Sequence, residues 1–146
     1  MIAVSAFIVD VHCLGIKNAL FDIVPERDYK REFKPQLMNV DGNGPYSTVT
    51  PADARKLVDG AVEYARDLGF APHKDFARAY RLFGDVDAND SNIEYEYGQD
   101  GKPFYVRGPY EDMRKAQQIV EKLTRKCGPD GFTYLVPLGD EMGMFD

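Results

Sequence analysis

The chain has 146 residues, 44% hydrophobic and 29% charged, the balance of one soluble globule around one core. Its 24 acidic against 18 basic residues give a formal net charge of −6, which argues against nucleic acid as a partner unless cations gather on one face. No apolar run is long enough to span a bilayer, so no membrane association is expected. Two cysteines, Cys13 and Cys127, are too few for a disulfide scaffold, and a cytoplasmic location is the plain expectation.

Residues 1–14 predict a strand. Ile2, Val4, Ala6 and Ile8 share one face, and Ala3, Phe7, Val9 and Val11 the other. Both faces are apolar, which predicts a strand near the middle of a sheet and covered on both sides. Gly15 breaks it. Residues 16–24 form a second apolar run whose period fits a strand or a short helix; as a strand it would pair antiparallel with the first around Gly15. Pro25 suits a helix start, Tyr29 and Phe33 share a face, and Pro35 is expected to stop that helix. Residues 38–49, with Asp41-Gly42-Asn43-Gly44-Pro45, predict a flexible loop.

The stretch from Thr50 to Phe70 carries the strongest signal. Thr50 is an N-cap, Pro51 suits the first helical position, and Asp53 sits where a capping box needs it. Ala54, Leu57, Val58, Ala61, Ala65 and Leu68 recur at helical spacing, and Gly69 is placed to end the helix. Such a stripe is expected to face the protein's own core. A shorter helix follows to Gly84. Residues 93–97 and 103–107 read as two strands of a hairpin turned at Gln99-Asp100-Gly101. A helix over 111–127, a strand over 132–138 and an acidic tail over 139–146 complete the chain. The fold expected is α+β: a mostly antiparallel sheet with three to four helices packed on it, in a single compact domain over 1–146.

Three places carry candidate chemistry. Asp10 and His12 share a face at the end of the first strand, and a carboxylate beside an imidazole can bind a divalent metal or exchange protons. The second is the acidic loop. Asp85, Asp87 and Asn89 fall at the first three oxygen positions of a calcium loop, Ser91 can offer its carbonyl, and Glu96 falls at the closing bidentate place. This stretch resembles an EF-hand loop, with Asp90 where that family has glycine, Asn92 where it has a branched apolar residue, and a predicted strand where it has an exiting helix. The resemblance covers the loop and the helix before it, and implies weak calcium binding through Asp85, Asp87, Asn89 and Glu96. The third place is the basic side of the last helix, Arg114, Lys115, Lys122, Arg125 and Lys126, for which a solvated face is the better reading.

The chain has no P-loop, no dinucleotide glycine fingerprint, no paired CxxC, no HExxH and no GxSxG. These absences weigh against an enzyme. No cofactor is expected, a divalent metal being the one the residues leave open. The leading expectation is a protein-binding or accessory module, its partner another protein or a second copy, using the aromatics Tyr95, Tyr97, Phe104, Tyr105 and Tyr110 on or beside the hairpin. The alternative is a metal-dependent hydrolase or nuclease, with Asp10, His12 and a further carboxylate from Asp85, Asp87 or Glu94.

Overall fold

The computed structural model describes residues 1–38, 46–109 and 111–136. The tail over 139–146 and most of the loop over 38–49 therefore lie outside the described residues, as does Tyr110. The chain is α+β.

Strand β1 (Ile2–Asp10) pairs antiparallel with β2 (Gly15–Val24), in register from Ile2 opposite Val24 to Asp10 opposite Gly15, with a bulge between Ile8 and Val9. The second apolar run is thus a strand. The turn joining the two is capped by Asp10, whose carboxylate accepts the backbone N–H of His12 at 3.0 Å and of Leu14 at 2.9 Å. Gly15 then turns at φ +72°, and a Cβ there would stand 2.8 Å from the Ala65 Cβ. Glycine is required twice over at this point, by conformation and by closeness. β1 is not central to a sheet, because among the described residues its sheet has these two strands alone. Its face bearing Ser5, Phe7 and Val9 packs inward; on the other face Val4 is buried but Leu20, opposite Ala6, is exposed.

Pro35 does not stop the following helix. Helical turns run through α1 (Glu26–Asp28), a wider π-helical stretch (Tyr29–Phe33) and α2 (Lys34–Met38). In the wide stretch the Lys34 N–H reaches the Tyr29 carbonyl, five residues back. That loosening just ahead of the proline ring relieves the clash a regular turn would impose.

Helix α3 (Pro51–Asp67) follows the sequence closely. Thr50 and Asp53 form the reciprocal capping box, and Gly69 leaves at φ +97° while the Phe70 N–H returns to the Ala65 carbonyl at 2.9 Å. Val58, Ala61, Val62 and Ala65 are buried, so the stripe faces the core. It divides two clusters. Val58 and Val62 pack with Ile16, Ala19 and Ala79, the last from α4 (Phe76–Tyr80). Leu68 packs with Cys13, Tyr105, Leu123 and Phe132.

The expected hairpin shrinks to its turn. Gln99 and Lys102 bridge around Asp100 and Gly101, both at positive φ, but residues 91–97 form no strand. Their hydrogen bonds go elsewhere. The Gly98 N–H donates to the Val11 carbonyl and the Phe104 N–H to the His12 carbonyl, so both arms dock on the β1–β2 turn instead of on each other. β3 (Phe104–Val106) pairs with β4 (Thr133–Leu135), and this second sheet is parallel, the two strands joined through α5 (Met113–Cys127). Asp112 caps α5 by accepting the Lys115 N–H at 2.7 Å, and Ala116, Ile119 and Leu123 form its buried stripe.

Candidate functional site

Asp10 and His12 do not form a carboxylate–imidazole pair. Both Asp10 oxygens accept turn amides, while His12 is exposed, with Nδ1 3.1 Å from the Gly98 carbonyl and its ring 6.3 Å from that of Phe104. The acidic loop is also occupied with its own backbone. Asp87 accepts the Asn89 N–H at 2.9 Å, capping a short 3-10 turn over Ala88–Asp90. Ser91 is buried and donates its hydroxyl to Asp53 Oδ1 at 2.6 Å. Asp85, Asn89 and Glu96 are exposed. Among the described residues no three His, Cys, Asp or Glu side chains gather where a metal ion would need them.

The aromatics largely turn inward. Tyr95 donates to the Asp53 carbonyl at 2.9 Å, and Tyr97 to the Leu57 carbonyl at 3.0 Å while its ring stacks on Tyr64. These bonds strap residues 91–97 along α3. Burial raises the titration of both phenols. Tyr105 is fully buried, its hydroxyl donating to Glu111 Oε1 at 3.0 Å, and Phe104 is half-buried.

What the structure does assemble is a cleft of about 670 Å³ between the start of β2, residues 69–73 and one side of α5. Its size is that of a small-molecule site. Leu14, Ile16, Phe70, Pro72 and Ile119 supply apolar walls, and Lys17, Lys115 and Lys122 supply three ammonium groups. The carboxylate lining it is Glu111, 4% exposed, and it is consumed: it accepts from Lys17 (3.1 Å), from the Tyr105 hydroxyl and from the Gly108 N–H at 3.1 Å. A buried carboxylate persists only when so satisfied.

Of the remaining polar side chains, Lys115 and Lys122 only donate, while the amides of Asn18 and Gln118 both donate and accept, the Asn18 Oδ1 being taken by the Ala19 N–H at 2.8 Å. Lys122 gives one hydrogen to the Gly69 carbonyl at 2.6 Å and lies 5.2 Å from the centre of the Phe70 ring, keeping further hydrogens. The Lys115 ammonium meets no acceptor among the described residues. His73 Nδ1 accepts the Asp75 N–H at 3.1 Å, which places the ring hydrogen on Nε2.

Of these residues, sequence reasoning singled out only Lys115 and Lys122, as a solvated face. Lys17 had one local sign, a charge inside an apolar run. Glu111 and His73 had none, since burial and tautomer depend on partners distant in the chain. No known protein family matches this chain, and neither does any curated protein or solved structure.

Proposed function

We propose that this chain acts by binding, and that its ligand is a small anionic molecule held in the cleft between β2, residues 69–73 and α5. One observation carries this reading. The charged lining of the cleft is cationic on balance, Lys17, Lys115 and Lys122 against Glu111, and that carboxylate has its oxygens engaged by Lys17, Tyr105 and Gly108. A site of that character suits oxygen acceptors bearing negative charge. The apolar walls suit a hydrocarbon portion. The local cationic field also sets this cleft apart from a chain whose net charge is −6, and it steers anions toward one place. The sequence suggested a binding function centred on aromatics. The cleft supports a binding function centred on lysines.

Amide NMR on the whole chain tests this. Hexanoate and inorganic phosphate are expected to shift resonances of residues 14–18, 69–73 and 115–122. Hexylamine, equally apolar but cationic, is expected to leave them in place. Equal responses to hexanoate and hexylamine, or no response to either anion, would remove the reading.

A further inference from the structure

We infer that the cleft selects an elongated dianion, a molecule with one anionic group at each end and an apolar middle; this rests on the anion-binding reading above and names its ligand class. The cleft's charge is not spread evenly. Lys17 is neutralised by Glu111 at 3.1 Å, which leaves Lys115 and Lys122 as the cations of the lining without an ion-pair partner among the described residues. These two stand seven residues apart on α5, hence about 10.5 Å along its axis and nearly on the same face.

The two ends differ in how they are built. At one end Lys122 is held by the Gly69 carbonyl and the Phe70 ring. A Cβ on Gly69 would come 3.1 Å from Lys122 Cε, and Gly69 sits at φ +97°, so the glycine both makes the turn and leaves room for the lysine stem. At the other end Lys115 shares the lining with the Lys17–Glu111 pair, and its ammonium meets no acceptor among the described residues. Between them Gln118 and Ile119 form one wall, and Leu14, Phe70 and Pro72 belong to the same apolar lining.

A compact anion engages one end and leaves the other lysine unmatched. A monocarboxylate with a long tail covers the apolar middle but likewise reaches one cation. A linear α,ω-dicarboxylate of sufficient length engages both lysines and covers the apolar surface. The second matched end is expected to strengthen binding by about fivefold, the upper reach of an exposed ion pair.

The test is calorimetric and NMR titration of the whole chain with straight-chain α,ω-dicarboxylates of increasing length, monocarboxylates of matched length, and inorganic phosphate. Affinity is expected to peak at one diacid length and to exceed the matched monoacid by about fivefold. Lys122→Met and Lys115→Met, both at exposed positions, are each expected to abolish that advantage while leaving monoacid binding at the remaining lysine. Circular dichroism checks that both variants fold. Equal affinity of diacids and monoacids at every length would overturn the elongated ligand and leave the anion site standing. Phosphate binding more tightly than every diacid would do the same in favour of a compact dianion. If no anion moves the cleft resonances, both readings fall together.

Discussion

The Tyr97 hydroxyl donates to the Leu57 carbonyl at 3.0 Å, and its ring crosses α3 at Gly60, where no side chain stands in its way. Glycine inside a helix ordinarily costs about 1 kcal/mol relative to alanine. Here the cost is offset by a contact that alanine forbids, because a Cβ at position 60 would fall well inside contact distance of the Tyr97 ring. Gly60→Ala is therefore expected to destabilise the fold by about 1–3 kcal/mol. In a Tyr97→Ala background the sign reverses, and the same change gains about 1 kcal/mol. Urea unfolding of the four proteins measures both. A Gly60→Ala protein more stable than its parent would show that the strap does not lie on this turn.

That strap also marks the limit of what the sequence discloses. α3 was legible in full because Thr50, Asp53 and Gly69 act within a turn of where they stand. The β1–β2 pairing followed from two apolar runs with a glycine between them. Residues 93–107 carry an equally local alternation, yet no hairpin forms. The winning partners are the α3 carbonyls, about forty residues earlier in the chain, and the carbonyls of Val11 and His12. A period of two says that alternate residues face alike, not that the neighbouring strand is the one next in sequence. The cleft is hidden for the same reason. Lys17 and Glu111 are 94 residues apart, and neither belongs to a motif.

The Lys17–Glu111 pair gives a stability test. Glu111 is 4% exposed and the Lys17 side chain 14%, so removing one partner strands the other away from water. Glu111→Ala also deprives the Tyr105 hydroxyl and the Gly108 N–H of their acceptor. The expected loss is about 3–5 kcal/mol, read as a fall in the urea midpoint. The paired change Lys17→Met with Glu111→Gln is expected to recover much of it, since it leaves no buried charge unpaired. Equal losses in the single and the paired variant would mean that the ion pair is not the source.

Acid stability follows from Asp53. The hydroxyl of Ser91, donating at 2.6 Å, is the main cause that holds this carboxyl below its ordinary 3.8, with Thr50 adding to it. A carboxyl whose folded value is depressed stabilises the fold above its unfolded value, and that contribution is lost as pH falls through the folded value. Ser91→Ala is expected to move the Asp53 titration upward and to shrink the fall in Tm between about pH 6 and about pH 3. Carbon NMR of the Asp53 carboxyl reads the first, thermal unfolding at the two pH values the second. An unmoved Asp53 titration in Ser91→Ala would assign the shift to another donor.

The β1–β2 turn ties a surface carboxylate to a core thiol. Asp10 holds the amides of His12 and Leu14, and between them Cys13 points inward, fully buried against Tyr105 and Leu123. Burial, with the charge of Asp10 next, pushes the Cys13 thiol up to about 12, so in the folded state it is not the nucleophilic thiolate near neutral pH. Alkylation of Cys13 therefore requires the turn to open, whereas half-buried Cys127 is expected to react first. Asp10→Ala removes two hydrogen bonds worth about 1 kcal/mol each, which should speed Cys13 labelling about thirtyfold, within the range such losses imply. His12→Ala removes an exposed ring that meets the Gly98 carbonyl and the Phe104 ring but leaves both Asp10 bonds in place, and its effect should be much smaller. Mass spectrometry of timed iodoacetamide labelling follows both sulfurs at once. If Asp10→Ala leaves the Cys13 rate unchanged, the carboxylate is not what closes the turn, and its place at the end of β1 calls for another cause.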